Sequence, residues 1–314
     1  MLDCQKNTNV ITPPYKSSNN ETGNLSDKIK EEIKKIRSYT PKVAIFGDSG
    51  VGKSSLCNII FGKDIAKMSD VEACTREVQE IFIGDENSGF ILMDVPGVGE
   101  DIKRHQEYSE LYESLLPDLD LIIWAIKADD RKFASAEDIY KNIIKPNIEH
   151  CPVVFVVTQI DKIEPIEEWY ENGGVLGNHQ RENLEKKIID ISKRFDIETN
   201  LIIPVSTKNK GYNIDKLIEK IVDILPDEKK YSFVRETNTD HTTETAYIIA
   251  EKGILNSIYK MFGTAYSNTK EFLSDIADSM KGTIKEQTTK VATEVVEIAV
   301  TAAFTWLANK LKQK

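Results

Sequence analysis

No apolar run in this sequence approaches the roughly 20 consecutive residues that a bilayer-spanning helix needs. The nearest, residues 298–308, is too short and follows Glu294 and Glu297. Cysteine is scarce. Cys4, Cys57, Cys74 and Cys151 lie far apart and match neither a disulfide framework nor zinc-ligand spacing, so free thiols in a reducing cytosol are expected. The first residues hold no apolar core of signal-peptide length and include a Pro-Pro pair. Internal repeats and low-complexity tracts are absent. Positive charge is also short: the formal net charge is −10, and from His241 onward 9 lysines face 8 acidic residues, so the acidic excess sits in the first 240. Such a body lacks the positive field that nonspecific nucleic-acid binding requires, and direct nucleic-acid binding is not expected.

What is present fits a soluble globular chain, with 40% hydrophobic and 29% charged residues over 314 positions. That length allows about two units, or one larger unit with helical additions. Residues 1–24 read as a flexible arm. Leu25, Ile29, Ile33 and Ile36 recur at helical spacing and predict an amphipathic helix over 25–40, stopped by Pro41. Between 41 and 226 short apolar runs alternate with charged, helix-periodic stretches: VAIF (43–46), VQEIFIG (78–84), FILMDV (90–95), LDLIIWAI (119–126), PVVFVVT (152–158) and LIIPVS (201–206). This alternation predicts an α/β unit with a mainly parallel sheet of about six strands and helices on both faces. The second and third runs are too close for a helix and predict one antiparallel hairpin. Residues 227–243 read as a polar linker, and 244–314 as a helical C-terminal region.

Directly after the first run stands GDSGVGKS, residues 47–54: Gly47, Asp48, Ser49, Gly50, Val51, Gly52, Lys53 and Ser54, followed by Ser55 and a helix-compatible stretch. Strand, glycine-rich loop, Lys-Ser and helix form the phosphate-binding P-loop. Its backbone N–H groups and the helix N-terminus favour anions, Lys53 adds a charge for the β- and γ-phosphates, and the Ser54 hydroxyl suits Mg²⁺. Asp94, at the end of the third run, faces the magnesium shell, and Gly97 in DVPG offers an N–H to the γ-phosphate. Thr75 can complete the oxygen shell of the metal. Lys53, Thr75 and Gly97 are thus the candidates for acting on the γ-phosphate in hydrolysis. At further strand ends stand Thr158, Gln159 and Asp161, then Ser206, Thr207 and Lys208. In open α/β sheets these ends share one crevice. An Asp161 carboxylate there accepts from both N1–H and the 2-amino group of guanine, which adenine cannot supply, while the N–H groups of 206–207 suit the guanine O6.

The set GDSGVGKS, Thr75, DVPG, TQID and STK, over residues 42–225 or about three-fifths of the chain, resembles the translation-factor-related GTPases, and among them the Era-like group. DVEACT (70–75), DVPGVGE (94–100), QEYSELY (106–112) and IKADDR (126–131) are more similar still to stand-alone bacterial GTPases, often prophage-borne, with ribosome-binding-type G domains. The resemblance implies a Ras-like G domain, GTP/GDP switching and bound Mg²⁺. Three departures stand out. Thr158 and Gln159 replace the Asn-Lys of the base-reading motif, Val98 stands where Ras-like enzymes orient water with Gln, and Gly50 replaces the Asn of potassium-activated relatives. Slow intrinsic hydrolysis follows as an expectation, relieved by an effector or activator protein, by GTP-dependent homodimerisation, or by Glu100, His105 or Gln106 reaching in.

The tail raises an alternative. Residues 253–263 and 291–311 are amphipathic or apolar enough for a membrane interface, with Lys310, Lys312 and Lys314 free for anionic headgroups. Packing on the protein or on a second copy is the competing reading. The expected location is cytoplasmic, with peripheral contact at the inner face of the membrane under the first reading. A ribosome or RNA assembly GTPase, an ATPase and a binder without turnover complete the alternatives.

Overall fold

The computed structural model describes residues 19–48, 50–62, 79–85, 88–94, 105–131, 133–149 and 151–262. Strands β1 (Lys42–Phe46), β2 (Gln79–Asp85), β3 (Ser88–Asp94), β4 (Leu121–Lys127), β5 (Val153–Thr158) and β6 (Ile202–Pro204) form one sheet in the order β2-β3-β1-β4-β5-β6. The hairpin β2–β3 is antiparallel, with Gln79 opposite Asp94 and Asp85 opposite Ser88, and the remaining pairs are parallel. The expected architecture is therefore the one found. β6 is shorter than its apolar run, although the Val205 N–H beyond it still donates to the Val157 carbonyl of β5 at 2.8 Å, and Ser206 bridges to Tyr212.

Alternation along the central strands builds two cores. Ala44, Phe46, Ile122, Trp124, Ile126, Phe155 and Val157 face one side, and Val43, Ile45, Leu121, Ile123, Val154 and Val156 the other. The first side is covered by α3 (His105–Leu115), α4 (Ala134–Ile139) with the turn that follows it, and α6 (Asn178–Phe195), after the short α5 (Glu167–Glu171). Trp124, Tyr140, Phe155 and Phe195 meet there at ring separations of 5.0 to 6.2 Å, in stacked, tilted and edge-on pairs. Cys151 lies in this core, and burial pushes its thiol up to about 12, so it packs as an inert group.

The opposite side is covered by α2 (Lys53–Phe61) and α7 (Ile214–Ile224), and also by α8 (Asp227–Glu236) and α9 (Glu244–Phe262), which contribute Phe233, Val234, Ala246 and Ala250. This corrects the linker expected over 227–243. The stretch DEKKYSFVRE is polar on average, but Asp227 and Glu228 favour its first turn, Arg235 its last, and Phe233 and Val234 are buried. Of the flexible arm expected over 1–24, the part from Asn19 on is corrected, since α1 spans Asn19–Ser38, while 1–18 lie outside the described residues. α1 packs on the helical addition: Ile29, Ile33 and Ile36 form a third cluster with Ile254 and Ile258. From α8, Ser232 Oγ donates to the Ile36 carbonyl at 2.8 Å and the Arg235 guanidinium to that of Arg37, satisfying acceptors left open where α1 ends. Asp120, at the start of β4, accepts from the Tyr39 hydroxyl at 2.9 Å, from the Lys42 N–H at 2.8 Å and from the Lys229 ammonium, tying α8 to the base of the sheet.

Glu251 on α9 is 2% exposed. Burial pushes its carboxyl up to about 7 against the opposing pull of Arg37. The folded chain therefore holds this proton more tightly than the unfolded one, and stability falls as pH rises from the ordinary carboxylate range to about 7, the cost being fully present above that. Glu251→Gln is expected to raise the melting temperature by a few degrees at about pH 8 and by much less at about pH 5. Thermal unfolding followed by circular dichroism checks this, and an equal gain at both values would contradict the assignment.

Candidate functional site

The P-loop leaves β1 at Gly47, whose φ is 148°, and turns through Gly50 and Gly52 at φ 76° and 91°. A Cβ at Gly47 would lie 2.5 Å from the Ala125 carbonyl oxygen of β4, so the loop can hug the sheet only with glycine there. Gly52 caps α2, which opens with Lys53. The Lys53 ammonium points back across the loop, donating to the Gly47 carbonyl at 2.9 Å and the Asp48 carbonyl at 3.4 Å. Ser54 and Ser55 stand exposed in the first turn.

Two residues from the end of β5 fasten this loop. Thr158, buried, donates from Oγ1 to the Val51 carbonyl at 2.6 Å. Gln159, in the left-handed conformation at φ 56°, donates from Nε2 to the Gly50 carbonyl at 2.8 Å, and its Oε1 accepts from Lys162 Nζ at 2.6 Å. Thr158 thus ties the end of β5 to the P-loop. Gln159 does something composition did not reveal, since its amide is engaged with the loop. Lys162 was likewise overlooked: its spacing from Gln159 is no more than ordinary helix chemistry.

Asp161 is 2% exposed. Its Oδ1 accepts from Ser206 Oγ at 2.7 Å and its Oδ2 pairs with Lys208 Nζ at 2.9 Å. Burial alone would raise its pKa, but the hydrogen bonds from Lys208 and Ser206 outweigh that and hold it below the usual carboxylate range. The same pairing, with a contact to Tyr170, raises Lys208. Residues 206–212 form the facing loop: the Lys208 N–H donates to Ser206 Oγ at 3.2 Å, and Ser206 and Tyr212 exchange backbone hydrogen bonds. From the segment after β5, Trp169 meets Tyr212 edge-on at 5.8 Å and the Tyr170 hydroxyl accepts from Lys208 Nζ at 3.3 Å. Nothing in the pattern marked Tyr170, because an exposed aromatic in a charged stretch carries no motif.

Asp94 ends β3 with its Cα paired to Ile45, two residues before Gly47, so the backbone brings it beside the loop. His105 and Gln106 open α3. Ser49, Thr75, Gly97 and Glu100 lie outside the described residues, as does the stretch 291–311. Of the other candidate membrane stretch, Ile254 and Ile258 are buried against α1 while Met261 is 53% exposed. Among the described residues no helix is long and apolar enough to cross a membrane.

A glycine-lined anion loop after β1 with a helix N-terminus behind it defines a P-loop protein, and a buried aspartate stands at the carboxyl end of β5 in the same sheet. Comparison with known proteins agrees. Residues 42–159 match the 50S ribosome-binding GTPase family. The chain is 36% identical over 219 residues to the uncharacterized protein YkfA of Escherichia coli, covering 70% of this chain and 74% of that one. It is 30% identical over 220 residues to GTPase Era of Aquifex aeolicus, covering 68% and 66%. A solved structure of Era in complex with MgGDPNP and nucleotides 1506–1542 of 16S ribosomal RNA is 29% identical with a TM-score of 0.41, covering 60% of this chain and 57% of that one. The chain belongs to the Era-like GTPases, enzymes that bind guanine nucleotide and hydrolyse GTP to GDP and phosphate.

Proposed function

We propose that this GTPase works as a magnesium-dependent GTP/GDP switch whose own turnover is slow. The observation that carries the reading is the Asp161 carboxylate, buried at the strand end and prepared by Ser206 and Lys208, with Thr158 tying the same strand to the P-loop. One rigid strand end thus serves both ends of a single nucleotide. In this reading residues 41–226 form the nucleotide-binding unit, and α1, α8 and α9 its helical addition.

The donors fit a hard cation. Ser54 stands exposed in the first turn of α2, and Asp94 is brought beside the loop by its pairing with β1. Together with Thr75 they would hold Mg²⁺, which suits oxygen ligands and neutralises charge on the β- and γ-phosphates. Lys53 and the loop amides would bind and orient the phosphates, and the N–H of Gly97 would meet the γ-phosphate. Water activation is the weak part. Val98 cannot hydrogen-bond a nucleophile, and Gly50 has no side chain to offer a second cation. Glu100, His105 and Gln106 are the candidates to compensate, with an effector protein or a GTP-dependent homodimer as the outside source.

Phosphate release by the isolated chain is expected on the order of 10⁻³ s⁻¹, abolished by EDTA and restored by Mg²⁺. A rate of several per second without a partner would overturn the slow switch. The burial of Ile254 and Ile258 supports intramolecular packing of that segment over membrane contact, and pelleting with anionic liposomes tests the remaining tail. The RNA in the Era complex belongs to that protein. A charge of −10 weighs against the same partner here, and co-sedimentation with ribosomal subunits tests it.

A further inference from the structure

The turn between α8 and α9, residues 237–243, touches the nucleotide-binding unit at the end of α2, behind the 206–212 loop and, through Thr243, on α7. Asn238 sits at the C-terminus of α2: its backbone N–H donates to the Ile60 carbonyl at 2.7 Å and its Nδ2 to the Ile59 carbonyl at 3.3 Å. These are acceptors that the end of a helix leaves open. α2 stops at Gly62, where a Cβ would lie 3.1 Å from Asn238 Cγ. The second contact is behind the base-reading loop. Gly211, whose N–H closes that loop onto the Lys208 carbonyl at 2.9 Å, faces Ile59 and His241. A Cβ on Gly211 would lie 2.6 Å from Ile59 Cδ1 and 3.3 Å from His241 Cε1. The turn itself has little slack. The Asn238 carbonyl accepts from the N–H groups of His241 and Thr242, both at 3.0 Å, and from Thr242 Oγ1 at 2.7 Å. The hydroxyls of Thr237 and Thr242 meet at 2.7 Å, and Thr243 Oγ1 donates to Glu219 of α7 at 2.5 Å.

We propose that Asn238 and His241 are positioning residues for the guanine nucleotide, through which the helical addition sets nucleotide affinity. The proposal rests on the guanine reading of the site given above. One nucleotide must reach Lys53 at the start of α2 and Asp161 beside the 206–212 loop, so the separation of these two bodies decides how well both contacts form together. They meet at Ile59 and Gly211, and the turn 237–243 is the third body at that junction, gripping α2 through Asn238 and backing the loop through His241. The coupling is reciprocal: whatever free energy the addition lends to nucleotide binding, nucleotide binding lends to the addition. A partner that levered α8 and α9 away would therefore loosen the nucleotide.

The test uses the full chain, with GTP and ITP affinities of Asn238→Ala and His241→Ala set against wild type. ITP lacks only the 2-amino group that Asp161 reads. Each variant is expected to bind GTP about tenfold more weakly, the size expected for lost packing or one lost hydrogen bond. The preference for GTP over ITP should shrink as well, which a general loss of stability would not cause. Hydrogen exchange on the wild type needs no variant: a GTP analogue should slow exchange at residues 238–243 and in the first turn of α9. Variants with wild-type affinity and an unchanged GTP-to-ITP ratio would overturn the coupling. Should the variants fail to fold, exchange rates at 238–243 that ignore the GTP analogue would overturn it instead. A wild-type chain that bound ATP as tightly as GTP would bring down the guanine reading itself, and this coupling with it.

Discussion

Replacing Asp161 with asparagine is expected to weaken GTP binding about 10³-fold while improving binding of xanthosine triphosphate. The carboxylate offers two acceptors to the N1–H and 2-amino donors of guanine, and bonds of this charged kind contribute about 1.5–3 kcal/mol each. Asparagine turns one acceptor into a donor. That donor opposes the 2-amino group of guanine but complements the 2-oxo group of xanthine. The fold should survive, because the asparagine oxygen can still accept from Ser206 Oγ, which now donates to Oδ1 at 2.7 Å. Removing the charge also frees Lys208, whose pKa is raised mainly by that pair, so the variant should lose its raised lysine. Calorimetry with GTP, XTP and ATP on wild type and variant is the check. Unchanged preference for GTP would mean that Asp161 is only a structural anchor for the 206–212 loop.

Lys53→Ala is expected to lower single-turnover hydrolysis by about 10³-fold or more and GTP affinity by a smaller factor. Charge on the transferring phosphoryl oxygens is greatest in the transition state, so a cation fixed beside them acts more on the rate than on ground-state binding. Lys53 lies across the loop, bonded to the Gly47 and Asp48 carbonyls, and so stands where the phosphates would be wrapped. Arginine should not rescue it, since a planar guanidinium cannot replace a compact ammonium inside a loop this closely held to Ala125. Rapid-quench measurement of phosphate release from saturated enzyme isolates the chemical step. A variant with wild-type single-turnover rate would remove Lys53 from the reaction.

The P-loop was legible because its chemistry is local. Glycines at 47, 50 and 52 followed by Lys53-Ser54 leave few other conformations, and the strand before them announces itself by four buried residues in a row. The hairpin β2–β3 was legible from a gap too short for a helix. The polar residues of α8 were misread for the opposite reason: average polarity hides a helix that buries Lys230, Ser232 and Glu236 beside the apolar Phe233 and Val234. Its stability comes from what it touches, namely the end of α1, the base of β4 through Lys229 and Asp120, and α9. Tyr170, Lys162 and Asn238 escaped notice because each acts through a partner distant in sequence or through a spacing shared by any helix.

By itself the sequence determined the class of chemistry, since phosphate and guanine recognition depend on residue types at short fixed spacings. It also determined the sheet, since short, nearly continuous apolar runs separated by helical stretches admit few other arrangements. Tertiary structure alone decided how α1, α8 and α9 close over one face of that sheet and where residues 237–243 come to rest. Contacts between segments nearly two hundred residues apart, such as Asn238 with Ile59, arise from the packing of preformed elements, and no local pattern encodes them.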